Sequence, residues 1–281
     1  MNDKTHTFLM VGLPEAGKTS FILAVDDLLQ QPPTAESLRS YGLAQDRSYL
    51  ERFKAVYRRG EKLKKTERNI QGPPPELLFE DPINGQRGRI FLPDVSGEVF
   101  QDQWADRKWE ISYKNDLRGL SGILLFVRAD LPASNQEMLG ALAKLPESER
   151  KALPFDPKKA GSQVQLVEVL QFIATSGNIA RPLKTAVLIS AWDTVLKPEN
   201  LQPKEPVLFM EREWPLLNQY LRTNTESFRT HIYGVSALGG TEEELKTLND
   251  IAPQERVRIV DSGEPSRNLT LPLQWLMRSE G

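Results

Sequence analysis

The sequence predicts a doubly wound α/β fold of three layers, in which a mostly parallel sheet with one antiparallel hairpin lies between helices. Three observations lead to this prediction. Short apolar runs of strand length alternate with helical segments, a glycine-rich loop joins the first run to the first helix, and Asn84-Gly85 links two runs. The length of 281 residues suits a single domain, 1–281, with a helical insertion at 31–75 and a polar one at 131–160.

Composition excludes several classes of protein. The hydrophobic content of 39% is enough for a sizeable core, and the net charge of −2 gives no electrostatic case for general nucleic-acid binding. The chain has no cysteine and only two histidines, His6 and His231, so we expect neither disulfides nor a structural zinc site. The longest apolar runs are of strand length and the N-terminus is polar, so we expect a cytoplasmic protein without a membrane span.

Six apolar runs are predicted as buried strands. These runs are Phe8–Val11, Leu77–Phe79, Ile90–Leu92, Ile123–Val127, Ala186–Ile189 and Ile232–Val235. The second and third runs are joined through Asn84-Gly85, the strongest short signal for a hairpin, so we expect these two strands to be antiparallel. Apolar residues at helical spacing predict a helix from about Ser162 to Thr175, before the fifth strand.

Residues 34–70 are predicted as a helical insertion between the first helix and the second strand. Apolar residues recur there at helical spacing, at Leu50, Phe53, Val56 and Tyr57. A basic run follows from Arg58 to Lys65. It predicts either a solvated helix face or a patch for a partner or a phosphate group.

The loop after the first strand has the pattern of a phosphate-binding P-loop, G-x-x-x-x-G-K-[ST]. Its glycines allow successive N–H groups to point at one anion, and the following helix adds its positive end. The Lys18 ammonium group would reach the β- and γ-phosphates, and the Thr19 hydroxyl would ligate Mg²⁺. The residues predicted to bind a nucleotide here are Gly12, Glu15, Ala16, Gly17, Lys18, Thr19 and Ser20.

A second phosphate element follows the third predicted strand. Asp94 lies at the end of an apolar run, where a carboxylate of a P-loop enzyme holds Mg²⁺, usually through water. The N–H of Gly97, three residues later, would reach the γ-phosphate. An ordinary polar turn after a strand is the alternative.

The P-loop, the hairpin and Asp94-x-x-Gly97 together resemble the TRAFAC-class GTPases, which include Ras-like proteins and translation factors, over roughly 6–240. The long insertion, Trp192-Asp193 and the C-terminal 271–276 resemble, more narrowly, the bacterial double-GTPase family, with candidate roles in prokaryotic conflict or defence systems. The resemblance implies a P-loop NTPase fold, GTP and GDP as ligands, and Mg²⁺ as cofactor.

In this class, the loop after the fifth strand usually reads N-K-x-D, and its Asp accepts two hydrogen bonds from guanine while its Lys packs against the ring. The matching residues retain Asp193, but Ser190 stands for the Asn and Ala191 for the Lys. Trp192 is a candidate stacking surface for the base. Because adenine has no N1 donor, a carboxylate here selects guanine; the alternative is that Asp193 is a helix N-cap.

The class also carries a Ser-Ala-Lys-like loop after the sixth strand. Here Ser236-Ala237 occupies that position, and the backbone of Ala237 would meet the guanine O6. For the switch threonine that completes the Mg²⁺ site, we select Thr66 because it precedes the second strand. An ordinary surface threonine is the alternative at that position.

The resemblance implies hydrolysis by positioning and charge stabilisation, with Lys18, Gly97 and Glu98 as the catalytic residues. Ras-like members often carry Gln where this chain has Glu98, and a carboxylate beside a γ-phosphate is repelled or protonated. We therefore predict slow hydrolysis that a partner or self-association raises. Gln101 and Gln103 are candidate substitutes for the water-orienting residue, and Arg59 and Arg68 are candidate arginine fingers within the chain.

Two segments are predicted to meet a protein effector or regulator, 34–70 and 95–113. The second carries three aromatic residues that either contact the partner or anchor a helix to the sheet, Trp104, Trp109 and Tyr113. Two other functions stay open: a nucleotide-binding interaction protein with little hydrolysis, and an ATPase or P-loop kinase. A kinase should carry a lid with several arginines, and no such cluster follows Asp94.

Overall fold

The computed structural model describes residues 5–31, 37–42, 47–61, 74–92, 105–106, 117–130, 160–176, 179–248 and 250–278. The strands are β1 (His6–Gly12), β2 (Arg39–Ser40), β3 (Glu76–Glu80), β4 (Arg87–Phe91), β5 (Gly122–Arg128), β6 (Leu183–Ser190), β7 (Phe228–Ser236) and β8 (Arg258–Val260). The helices are α1 (Lys18–Leu29), α2 (Ser48–Arg58), α3 (Ser162–Thr175), α4 (Trp192–Leu196), α5 (Pro206–Glu213), α6 (Pro215–Thr223), α7 (Glu242–Leu248), α8 (Pro253–Arg256) and α9 (Leu271–Met277).

The strands form one eight-stranded sheet in the order β2-β3-β4-β1-β5-β6-β7-β8. The five strands from β4 to β7 in that order are parallel, and β3 pairs with β4 as the predicted antiparallel hairpin. The hairpin loop closes with a hydrogen bond from the N–H of Asp81 to the carbonyl oxygen of Gln86, and Gly85 supplies the positive φ of 70° that the loop needs. The predicted α/β fold class is confirmed.

The six predicted strands are all present, and the helix expected from Ser162 to Thr175 has those bounds. Two antiparallel edge strands, β2 and β8, are additions that the apolar pattern did not predict. The strand β2 lies in the segment predicted as a helical insertion, where it pairs with β3 ahead of α2. That segment therefore extends the sheet as well as adding a helix.

Side chains along β1 alternate between the two faces of the sheet, as the period of a strand requires. Phe8 and Met10 pack in the cluster under α1, α2 and α9, while Leu9 and Val11 pack in the cluster under α3, α5 and α6. The sheet is therefore the middle of three layers. None of the helices in the described part of the chain has the length and hydropathy that a membrane span requires.

The carboxyl ends of the parallel strands bring the predicted site residues to one edge of the sheet. Gly12, Arg128, Ser190 and Ser236 are the last residues of β1, β5, β6 and β7, respectively. Loops that follow parallel strands at the same edge form the usual ligand crevice of an open α/β sheet. The candidate site therefore lies at these four strand ends.

Candidate functional site

The P-loop is the connection from β1 to α1, and space and backbone conformation explain its two glycines. Gly17 has φ 87° at the N-terminus of α1, and a Cβ there would lie 2.9 Å from the Cβ of Ser190. A Cβ on Gly12 would lie 2.9 Å from the Cβ of Phe126. Glu15 has a positive φ of 61°, which is uncommon for a residue other than glycine. The loop is therefore tightly curled, as a phosphate-binding loop must be.

The Lys18 side chain folds back over this loop. Its Nζ donates hydrogen bonds to the backbone carbonyl oxygens of Gly12 at 2.7 Å and Leu13 at 2.9 Å, and the residue is only 3% exposed. The loop thus holds one cation beside the N-terminus of α1, where anions bind favourably. Of the other residues predicted here, Ala16 is buried and Ser20 is half-buried in the first turn of α1.

Ion pairs to two buried aspartates hold α2 against α1. The Asp26 carboxylate accepts hydrogen bonds from Lys54 at 2.7 Å and from Arg47 at 2.8 Å, and both Asp26 and Lys54 are buried. Arg58 makes a 2.6 Å ion pair with the buried Asp27. Removing one partner of such a pair leaves an uncompensated buried charge, which is strongly destabilising, so α2 has a defined place on α1.

The N-terminal end of α2 meets the P-loop helix at Thr19. The hydroxyl oxygens of Tyr49 and Thr19 are 3.4 Å apart, so either group can donate a hydrogen bond to the other. Tyr49 is buried, whereas Thr19 is half-buried. A hydroxyl oxygen suits Mg²⁺, which proteins usually hold with one or two of their own oxygens together with substrate phosphates and water. Thr19 therefore fits the predicted role of metal ligand.

The loop after β6 is tied directly to the P-loop. The Ser190 hydroxyl lies within hydrogen-bond distance of the carbonyl oxygens of Ala16, at 2.9 Å, and Val127, at 3.1 Å. The residue that stands for the family's Asn thus links the P-loop to β5 and β6. This link sets the distance between the predicted phosphate and base sites.

The side chains of Asp193 and Ser236 are brought together from separate loops. The Ser236 hydroxyl donates a 2.7 Å hydrogen bond to Oδ1 of Asp193. Burial raises the pKa of the Asp193 carboxyl, and the hydrogen bonds from Ser236 and from its own backbone N–H oppose that shift. The carboxylate is thus held in one orientation at the edge of the sheet, in the arrangement expected of a base reader.

Trp192 does not have the position predicted for it. Its indole is 0% exposed, packs edge-to-face on Phe209 with ring centroids 5.1 Å apart, and lies against Gly234 so closely that a Cβ there would be 2.3 Å from the ring. A ring enclosed in this way has no surface on which a base can stack. The stacking role is therefore wrong, because the side chain turns into the core below α4 rather than toward the crevice.

The second predicted loop residue, Ala237, is contacted by the C-terminal end of α2. The Tyr57 hydroxyl donates a 3.0 Å hydrogen bond to the Ala237 carbonyl oxygen, and burial raises the pKa of Tyr57. Arg256, 3% exposed, donates to the carbonyl oxygens of Tyr57 and Arg58 at 3.0 and 3.1 Å. The end of α2 is therefore anchored to the loop predicted to meet the guanine O6.

Several predicted residues lie outside the described part of the chain, so they stay predictions. These are Thr66, Arg68, Asp94, Gly97, Glu98, Gln101, Gln103, Trp104, Trp109 and Tyr113. Arg59, a predicted finger candidate, is at the end of α2, where its guanidinium pairs with Glu61. The polar insertion at 131–160 also lies outside, apart from residue 160.

Three residues at the site were not singled out for it by the sequence: Tyr49, Tyr57 and Arg128. Arg128 ends β5, and its guanidinium donates to the Glu15 carbonyl oxygen at 3.1 Å and to both carboxylate oxygens of Asp130 at 2.6 Å. A basic residue at the end of a predicted strand was the one available signal for Arg128. The helical spacing that identified α2 indicated burial of Tyr57 but not its partner.

Three solved structures illustrate the similarity of this chain to known folds. Bacterial selenocysteine-specific elongation factor EF-Sec matches with 15% identity and a TM-score of 0.40, over 87% of this chain and 28% of that one. The GTPase-like domain of S. cerevisiae Ski7, bound to GTP, matches with 11% identity and a TM-score of 0.48, over 97% and 49%. The protein sup35, complexed with GDP, matches with 15% identity and a TM-score of 0.37, over 85% and 38%.

This chain therefore spans between 28% and 49% of the length of those three chains. No curated protein matches it by sequence. The model of the Double-GTPase 1 family matches residues 9–276, from β1 through α9, which includes every strand end that forms the site. The predicted resemblance to a double-GTPase family is confirmed, and the chain belongs to the Double-GTPase 1 family.

Proposed function

We propose that this protein binds GTP with Mg²⁺, hydrolyses it slowly to GDP and phosphate, and acts as a nucleotide-dependent switch. Membership of a GTPase family supports guanine-nucleotide binding. The observation that carries the proposal is the link at Ser190, whose hydroxyl contacts Ala16 of the P-loop. This link holds a buried cation, Lys18, and an oriented carboxylate, Asp193, at the same edge of the sheet.

The phosphates belong at the turn from β1 into α1. Backbone N–H groups at the N-terminus of α1 and the Lys18 ammonium group would stabilise the negative charge of the β- and γ-phosphates. Because Lys18 is already held by two loop carbonyl groups, its charge needs little rearrangement to meet a ligand. Charge stabilisation by preorganised groups is the main contribution a protein makes to phosphoryl transfer.

The Mg²⁺ ion belongs beside Thr19, with Asp94 and Thr66 as the further ligands proposed from the sequence. When bound, it neutralises negative charge on the β- and γ-phosphate oxygens. The Tyr49 hydroxyl, 3.4 Å from that of Thr19, can accept a hydrogen bond from the Thr19 hydroxyl and so leave a lone pair of Thr19 toward the metal. Gly97 and Glu98 are proposed to contact the γ-phosphate and the attacking water.

The guanine base belongs against Asp193. A carboxylate offers about four acceptor positions, and Ser236 and the backbone N–H of Asp193 fill two of them among the described residues. Two positions remain, which is the number that guanine requires for its N1–H and its N2 amino group. Adenine presents an unprotonated N1 to the same carboxylate, so it is rejected.

The helix α2 is the element that would carry the state of the nucleotide to a partner. It contacts the metal side of the site through Tyr49 and the base side through Tyr57, two turns later on the same helix. A shift at Thr19 or at the loop of Ala237 would therefore move the same helix. This arrangement supports the proposal that residues 34–70 form an effector surface within a single GTPase domain. The proposed role in bacterial conflict or defence is supported by the family alone.

Single-turnover hydrolysis tests the proposal. Purified protein with Mg²⁺ and radiolabelled GTP should release phosphate, and Lys18→Ala should slow that release by at least about 100-fold. Arg222→Gln, which alters an exposed pair with Glu211 on α6, serves as the matched surface control. Release by the wild-type chain no faster than by Lys18→Ala would favour the binding-only function. A partner-independent rate above about 10 s⁻¹, the median for enzymes, would contradict slow hydrolysis.

A further inference from the structure

The loop Ser190–Asp193, called the base-reading loop below, lacks a cation where the family resemblance implies a lysine. Ala191 occupies that position and begins the turn into α4 with φ 55°. Its methyl group offers neither charge nor a broad contact surface to a purine ring. Trp192, the next residue, is enclosed in the core and cannot take over this role. The loop therefore needs a contact for the base from another element.

Arg128 lies beside that gap because of the register between β5 and β6. It is the direct partner of Ser190 in the parallel ladder, and the N–H of Ala129 donates a 3.0 Å hydrogen bond to the Ser190 carbonyl oxygen. Ala191 follows Ser190 directly in the chain. A side chain at the end of β5 is thus brought to the base-reading loop although about sixty positions separate the two segments in the chain.

The guanidinium of Arg128 hydrogen-bonds the P-loop from the end of β5, the strand that pairs with β6. One Nη1 hydrogen bond reaches the Glu15 carbonyl oxygen of the P-loop at 3.1 Å. Asp130 and Glu15 act electrostatically on the group, as does Asp193, and the hydrogen bonds to Asp130 are the main cause of its raised pKa. The group therefore contacts the P-loop directly and acts electrostatically on the carboxylate of Asp193.

The same guanidinium keeps the capacity to bind a ligand. Its bonds to Glu15 and Asp130 use three of five N–H donors among the described residues, and its side chain is 29% exposed. The two-point pairing with Asp130 fixes the plane of the group, and a fixed guanidinium plane stacks on aromatic rings. A purine is such a ring.

We propose that Arg128 binds the nucleotide in place of the missing lysine. Its guanidinium packs against the guanine ring, while its Nη1 holds the P-loop at Glu15. This inference rests on the proposed function, since it concerns a guanine nucleotide at the same site. It makes Arg128 a determinant of affinity for the base, distinct from the phosphate contacts of the P-loop.

Binding of two probes separates this role from simple support of the P-loop. GDP and inorganic pyrophosphate, each with Mg²⁺, are titrated into the wild-type chain, Arg128→Gln and the surface control Arg222→Gln. We expect Arg128→Gln to weaken GDP binding by roughly tenfold, the scale of a lost cation–π contact, and pyrophosphate binding by less than about twofold. The control should match the wild type for both probes.

A second substitution tests the replacement itself. In the Arg128→Gln chain, Ala191→Lys should recover most of the lost GDP affinity, because Ala191 already carries a Cβ at its positive φ and a longer side chain adds no backbone strain. Thermal unfolding without nucleotide checks that each variant is folded. If Arg128→Gln does not fold, Arg128→Lys is used in its place, and it should show a smaller loss of affinity that is again selective for GDP.

Three results would overturn the inference. The first is an equal loss of GDP and pyrophosphate affinity, which would mean that Arg128 only supports the loop at Glu15. The second is unchanged GDP binding in Arg128→Gln. The third is a wild-type chain that binds pyrophosphate but not GDP. This last result concerns the wild type and so identifies a failure of the proposed function itself, whereas the first two leave that function intact.

Discussion

Replacing Asp193 with Asn removes one charge from the site and almost nothing else. The amide has the shape of the carboxylate and can still accept the hydrogen bond that Ser236 donates at 2.7 Å. It cannot offer acceptors to both donors of guanine, because one of its two terminal groups is itself a donor. The substituted amide would therefore meet the base with a mismatched donor while the fold is retained.

The expected loss of affinity follows from the two acceptor positions that Ser236 and the backbone leave open on Asp193. Losing one hydrogen bond to a charged group costs about 1.5–3 kcal/mol, and the amide donor left facing a guanine donor costs about 1–3 kcal/mol more, so the total is about 2.5–6 kcal/mol. This corresponds to roughly 10²–10⁴-fold weaker binding of GDP. A xanthine nucleotide carries an oxygen at C2, which the amide can contact, so its affinity should rise relative to that of GDP.

Although Asp193→Asn should weaken GDP binding, it should not lower the stability of the nucleotide-free chain. Because burial raises the pKa of Asp193, its carboxyl contributes stability that is present below the ordinary pKa of an Asp and is lost as pH rises through the folded-state pKa. At neutral pH the buried charge is therefore unfavourable, and Asp193→Asn should unfold at a midpoint equal to or above that of the wild type. That advantage should disappear on acidification below the ordinary carboxyl pKa.

The assay is competition of GDP and xanthosine diphosphate against one fluorescent nucleotide, with thermal unfolding of the nucleotide-free chain measured from acidic to neutral pH. Ser236→Ala is a useful companion, since it removes the orienting hydrogen bond and keeps the charge. Equal affinity of the wild type and Asp193→Asn for GDP would refute the assignment of Asp193 as the base reader. Lower stability of Asp193→Asn at neutral pH would refute the reasoning from burial.

Two further predictions concern packing and the metal. Gly234→Ala should lower the free energy of unfolding by about 1–3 kcal/mol, because its Cβ would lie 2.3 Å from the Trp192 ring. Adding Trp192→Phe to the same chain should offset part of that loss. If the two substitutions shift the thermal unfolding midpoint in a strictly additive way, this packing is contradicted. Tyr49→Phe should raise the Mg²⁺ concentration needed for half-maximal GTP binding by roughly 2–10-fold, because Thr19 loses its hydroxyl partner. An unchanged Mg²⁺ titration would show that Tyr49 does not support the metal site.

Much of the sheet could be predicted because its central strands are continuous apolar runs, a pattern that sequence shows directly. The edge strands could not. Arg39 and Ser40 of β2 are both exposed, and β8 has only three residues, so neither has enough apolar alternation to indicate a strand. Their pairing depends on neighbours already in place, which a local pattern does not contain.

The site shows the same division between local and tertiary information. The P-loop could be recognised because its chemistry lies within eight consecutive residues, Gly12 to Thr19. Trp192 was misassigned because sequence position does not tell which way a side chain turns where a strand meets a helix. A glycine within a strand often marks the close approach of another group, so Gly234 was the one local hint of the buried indole.

Equilibrium binding of GTP and of ATP, each with Mg²⁺, to the purified chain is the most direct test of the central claim that this is a guanine-nucleotide site. Isothermal titration with the wild type and Lys18→Ala would measure it. We predict that GTP binds at least about 100-fold more tightly than ATP, since Asp193 rejects adenine, and that Lys18→Ala weakens GTP binding by a similar factor. ATP binding as tight as that of GTP, or GTP binding indifferent to Lys18, would contradict the claim.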